Sequence, residues 1–124
     1  MLISCLTINN HLVIVLLMRR SVEPVFKALA DPTRRGIFER LTRDGEQTVH
    51  ALTQAGSVSQ PMVSKHLAAL KRARLVRARH TGRETHYSAQ PQALAPIVDW
   101  MHYYSRFWNN RFDRLEDILK RMDP

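Results

Sequence analysis

The sequence predicts a mainly α domain with a small β-hairpin, and three observations predict it. From Ser21 onward, apolar residues recur at helical spacing in short segments bounded by capping residues, Pro or Gly. At Leu75 the period changes to alternation, reaches a Gly-containing turn and comes back. Beyond Pro91, the stretch from about Leu94 to Met122 holds no Gly and only Pro96, near its start, so one long helix closes the chain.

Each element has its own warrant. Val22, Val25, Phe26 and Leu29 sit at helical spacing, and Pro24 is tolerable only in a first turn, so the first helix starts near Ser21. In Asp31-Pro32-Thr33, Asp31 reads as an N-cap and Pro32 as the first helical residue. Ile37, Phe38 and Leu41 stripe this second helix, which stops near Asp44-Gly45. A third helix runs from about Thr48 to Gln54, with Val49 and Leu52 inward, and ends at Ala55-Gly56. The fourth opens at Ser59, an N-cap candidate, with Pro61 in its first turn, and continues to about Arg72. From Leu75 to His80, Val76 and Ala78 alternate with Arg77 and Arg79; Thr81-Gly82-Arg83-Glu84 turns, and Thr85 to Ser88 pairs back.

Two short helices joined by a Gly-containing turn and followed by a hairpin make a winged helix-turn-helix, with a recognition helix over about 59–72 and a wing over about 75–88. This is one domain over residues 21–124, ending in a long C-terminal dimerisation helix. Residues 1–20 form an N-terminal apolar extension. Either it packs on the domain or on a partner chain, or it lies upstream of a natural start at Met18. The uncharged run Leu12 to Met18 is too short to span a membrane, which takes about 20 apolar residues. Its basic pair, Arg19-Arg20, follows the run, where a signal peptide would carry basic residues before it.

The chain carries 19 Lys and Arg against 11 Asp and Glu in 124 residues, a formal charge of +8, and the excess is localised. Residues 47–83 contain no acid and seven bases: Lys65, Lys71, Arg72, Arg74, Arg77, Arg79 and Arg83. A merely solvated face would interleave acids; their absence points to a polyanion. On the fourth helix Val63, Leu67 and Leu70 face inward, which leaves Pro61, Ser64, Lys65, Ala68 and Arg72 on the opposite side. Small residues there let the helix approach base edges in a major groove. Gln60 and Lys65 are the best base readers, Ser64 is a further one, and Ser59 with the free N–H groups of the helix start suits a phosphate. His66 is as consistent with the buried edge as with a DNA-facing role. Arg77, Arg79 and Arg83 on the wing can follow a backbone or enter a minor groove.

The run Phe26-Lys27-Ala28-Leu29-Ala30-Asp31-Pro32-Thr33-Arg34-Arg35 resembles the opening of ArsR-family transcriptional repressors. Ser59 through Leu70 is similar to that family's recognition helix, and Leu75-Val76, Gly82-Arg83 and Tyr87 continue the likeness over about Ser21 to Met122. The resemblance implies a homodimeric repressor acting on an imperfect palindrome. In such proteins the first and last helices form the dimer interface. Apolar spacing agrees: Ile97, Trp100, Met101, Tyr104, Phe107, Trp108, Phe112, Leu115, Ile118, Leu119 and Met122 make a stripe too long and too aromatic for one small core. Val22, Val25 and Phe26 of the first helix join that interface, together with Ile97, Trp100, Met101, Tyr104, Trp108, Phe112, Leu115 and Leu119.

Many relatives of this kind sense metals. A thiolate site needs closely spaced cysteines in the third helix, and Thr48-Val49-His50-Ala51-Leu52 has none. Acid and His pairs on the last helix form the other common site; Asp99 and His102, with Asp113 and Glu116 further on, do not reproduce its spacing. No metal and no cofactor are expected, and no inducer is named by the sequence. The aromatic last helix resembles a non-metal subgroup often encoded beside proteins that bind lipids or other hydrophobes. An enzyme is excluded on chemistry: the single Cys is Cys5, there is no Gly-rich phosphate loop, and the six His are scattered. The expected partners are double-stranded DNA and a second copy of the chain, in the cytoplasm, with no membrane contact. The alternatives are a basic protein-interaction or RNA-binding module, or a metal-responsive member of the same family.

Overall fold

The computed structural model describes residues 2–122; in the N-terminal 18 residues it describes only the side chains of Leu12, Val13, Leu16 and Leu17. The elements run α1 (Leu2–Ala30), α2 (Pro32–Asp44), β1 (Gln47–Thr48), α3 (Val49–Ala55), α4 (Gln60–Arg72), β2 (Val76–Thr81), β3 (Glu84–Ala89), a short 3-10 helix (Pro91–Leu94), α5 (Ala95–Tyr103) and α6 (Ser105–Met122).

The first difference from expectation lies in α1. It runs unbroken from Leu2, so Pro24 sits in the helix interior and not in a first turn. A proline there removes one backbone hydrogen bond and favours a kink. The flanking Val22 and Val25, each 4% exposed, and buried Ala28 hold the segment in place by packing on the rest of the domain. The apolar side chains further upstream are not covered: Leu12, Val13, Leu16 and Leu17 are all about half exposed.

The junction between α1 and α2 explains the Asp31-Pro32-Thr33-Arg34-Arg35 signature. The Asp31 carboxylate accepts from the Arg34 amide at 2.9 Å, Pro32 occupies a position with no amide to satisfy, and the Arg35 guanidinium donates back to the Leu29 carbonyl at 2.9 Å. Gly45 ends α2 with φ +85°, a conformation that favours glycine.

Thr48 caps α3, its hydroxyl accepting from the Ala51 amide at 3.1 Å. The same residue belongs to a strand that the periodicity did not reveal: Gln47 and Thr48 pair antiparallel with Tyr87 and His86. The sheet therefore has three strands in the order β1-β3-β2, and the hairpin is anchored at its root to the entrance of the helix-turn-helix. The hairpin itself is six residues a side, closed by Gly82 and Arg83 between the paired Thr81 and Glu84. Gly82 at φ +60° takes the first central position of that two-residue loop.

Phe38, Leu41, Leu52, Val63, Leu67, Leu70, Leu75 and Val76 form the core with Val25 and Ala28. Leu67 and Leu70 are 0% exposed, and burying each such leucine stabilises the fold by roughly 1.5–3 kcal/mol. The inward face expected for the fourth helix is thus the one the structure buries.

The expected single closing helix is two. It breaks at Tyr104, whose amide turns to the Met101 carbonyl at 3.0 Å. The break needs no Gly or Pro: it falls one turn after Trp100, the α5 residue packed on α1. Trp100 is wedged edge-on against both Phe26 and Tyr104, each at 5.3 Å between ring centroids, and this holds α5 on α1. Beyond Ser105, every described residue of α6 is exposed.

Candidate nucleic-acid interface

The interface starts from the direction of α4. Because Val63, Leu67 and Leu70 are pulled into the core, Gln60, Pro61, Ser64, Lys65, Ala68 and Arg72 are turned to solvent. The side chains of Gln60, Ser64, Lys65 and Arg72 carry no hydrogen bond or ion pair among the described residues. Ser59 stands at the N-cap position of α4, yet its side chain makes no cap hydrogen bond. Its hydroxyl and the first amides of the helix are left for an outside acceptor, and the positive end of the helix dipole lies with them. His66 is half-buried, close enough to Asp31 for the two to interact electrostatically.

The wing residues separate into two kinds. Arg83 at the hairpin tip is exposed and without a partner among the described residues, and Arg77 is exposed and makes no hydrogen bond there. Arg79 is engaged. Its guanidinium donates through Nη2 to Oε1 and through Nε, at 3.4 Å, to Oε2 of Glu46, and through Nη1 to the Thr81 hydroxyl at 2.7 Å. The Arg79 hydrogen bond is the largest influence on Glu46 and holds its carboxyl below the ordinary glutamate range. His86, directly across the ladder from Arg79, has Nδ1 3.7 Å from Glu46 and Nε2 3.7 Å from Glu84. Of the two acids that bracket the acid-free stretch in sequence, Glu84 opens the second wing strand and Glu46 is brought onto the wing from outside it. Sequence order hid this contact, since Glu46 and Arg79 are 33 residues apart.

The residues expected at a dimer interface also separate. Val22 and Val25 are buried within the protomer, so these two support the surface without forming it, while Ile97 packs against the core and is only partly buried. Phe26, Trp100, Met101, Tyr104, Trp108, Phe112, Leu115 and Leu119 remain 38–62% exposed. Among the described residues there is no group of three His, Cys, Asp or Glu side chains placed to share a metal ion, and no helix long and apolar enough to cross a membrane.

Comparison with known proteins carries this arrangement further. Residues 29–79 match the model of a helix-turn-helix domain family. The arsenical resistance operon repressor of Escherichia coli is 43% identical over 101 residues, covering 79% of this chain and 81% of that one. The transcriptional repressor SdpR of Bacillus subtilis is 35% identical over 77 residues, 62% of this chain and 84% of that protein. A homodimeric winged helix-turn-helix DNA-binding domain from Mycobacterium bovis, described as a possible ArsR-family regulator, superposes with a TM-score of 0.56 at 30% identity, covering 70% of this chain and 80% of that one.

The chain belongs to the ArsR family.

As an ArsR-family member it is a winged helix-turn-helix transcriptional regulator and not an enzyme. The matched stretch, 29–79, takes in the α1–α2 junction, the helix-turn-helix and most of the first strand of the wing. These are the parts that orient the open face of α4.

Proposed function

We propose that this regulator represses transcription as a homodimer on a palindromic operator, with α4 in the major groove and the β2–β3 wing on the flanking backbone or minor groove. The observation that carries the reading is the unpartnered row on α4 beside an acid-free, basic stretch. Gln60 and Lys65 read base edges, Ser64 and the small Ala68 permit close approach, and Ser59 and Arg72 hold phosphates at the two ends of the helix. Arg77 and Arg83 contact the flanking duplex, while Arg79 sets the angle of the wing through Glu46. Exposed aromatic and aliphatic residues of α5 and α6 supply the dimer surface, and Leu12, Val13, Leu16 and Leu17 of α1 extend it. The protein works in the cytoplasm and belongs to the members of its family that do not sense metals, for α3 offers no thiolate.

Fluorescence anisotropy on DNA from upstream of its own gene tests this. Lys65→Ala should cost about 1–3 kcal/mol on the operator and much less on random duplex. Arg83→Ala should weaken both alike and lower the salt slope by about one. Equal losses on operator and random DNA for Lys65→Ala would count against base reading. Single-stranded competitor as effective as duplex would sink the major-groove placement.

A further inference from the structure

The turn that follows α4 contains the one non-glycine residue with positive φ among the described residues, Arg74 at φ +64°. Its amide donates to the Lys71 carbonyl at 2.9 Å, and the Leu75 amide donates to the Leu70 carbonyl at 2.9 Å. This is the Schellman arrangement, whose left-handed position is the usual place for glycine. A side chain there is disfavoured, so the arginine is held at a site where the backbone would be easier without it.

Arg74 opens onto a cavity of about 480 Å3 between α1, the end of α4 and the start of α5. That volume lies within the usual range for small-molecule sites. Val25, Ala93 and Pro96 give it an apolar side. Arg72, Arg74, Gln90 and Gln92 give it a polar one, and no acid lines it. Neither guanidinium has an ion-pair partner among the described residues. Favourable interaction of cations with a helix C-terminus explains a base near Arg72 but not one at a strained backbone position.

We infer that this cavity binds a small amphipathic organic anion, its charged end on Arg74 and Arg72 and its apolar body over Val25, Ala93 and Pro96. Because Arg72 is also placed on DNA, occupancy draws that guanidinium away from phosphate and weakens the operator complex. This second consequence rests on the proposed DNA reading; binding itself does not.

Benzoate serves as the probe, with benzyl alcohol as its neutral counterpart, and the full chain is titrated without DNA. Benzoate should shift the amide resonances of Ala73, Gln90 and Ala93, and benzyl alcohol should do so at least tenfold more weakly, since charge-assisted bonds are the stronger ones. Arg74→Gly is the decisive variant, because relief of the positive φ should raise its melting temperature while benzoate affinity falls about tenfold. A stabilised Arg74→Gly that binds benzoate as well as the parent overturns the site, as does a benzoate footprint elsewhere on the chain. A separate anisotropy arm adds saturating benzoate to the operator complex. Release from the parent and not from Arg74→Gly supports the coupling, and no release from either overturns it while leaving the DNA-free result standing.

Discussion

Ser59 and Thr48 occupy the same formal position, the residue before a helix, and the structure uses them differently. Thr48 accepts from the Ala51 amide, whereas Ser59 makes no side-chain cap bond. Thr48→Ala should therefore cost about 1 kcal/mol in chemical denaturation, and Ser59→Ala close to nothing. On DNA the order should reverse, with Ser59→Ala weakening the complex and Thr48→Ala leaving it nearly unchanged. A stability loss at Ser59 as large as that at Thr48 would return Ser59 to a capping role. Asp31, by contrast, was legible from its neighbours alone. Asp before Pro-Thr can do little but cap, and the Arg34 amide bond, the largest influence on it, holds its carboxyl below the ordinary aspartate range.

Among the elements, the wing is the one whose setting is tertiary. β1 is two residues long, too short to leave any alternation in the sequence, yet it fixes β3 against the entrance of α3. Glu46, immediately before it, clamps Arg79 on β2, the outer hairpin strand on the far side of β3. Both groups are exposed, so Glu46→Gln should change global stability little. It should instead speed hydrogen exchange of the amides over residues 77–87; unchanged exchange there would remove the clamp. Acid should do the same. A carboxyl held below its ordinary value contributes fully above that value and loses its contribution as the pH falls through the depressed one. Wing protection should then be flat around neutrality and fall only in the acid range below ordinary glutamate titration.

For the whole molecule, the largest unsatisfied feature is apolar. Met101, Trp108, Phe112, Leu115 and Leu119 are about half exposed, as are Leu12, Val13, Leu16 and Leu17 at the other end. On the proposed reading these exposed apolar residues are the face that a second copy covers. A Phe112→Asp, Leu119→Asp double variant alters only exposed positions, so the monomer fold should survive by circular dichroism. Sedimentation should show a monomer, and operator affinity should fall about 100-fold or more, because the two half-sites are no longer linked. A variant that still sediments as a dimer would place the interface elsewhere.

What the sequence determined by itself was local and periodic: the capped start of α2, the inward face of α4, the six-residue hairpin and the confinement of the charge. These follow from short-range rules of capping, side-chain period and turn chemistry, in which near neighbours settle the outcome. The tertiary structure decided what depends on distant residues meeting. Pro24 lies inside a helix because packing on both sides of it holds the segment helical. The closing helix breaks at Tyr104, at the end of the segment where Trp100 is held against Phe26, and the described residues of α6 beyond Ser105 are exposed. Arg79 faces Glu46 across 33 residues of chain, and Val22 and Val25 turned inward because the core needed them more than the surface did. Contacts of that kind have no period to read, since their existence depends on where the rest of the chain comes to lie.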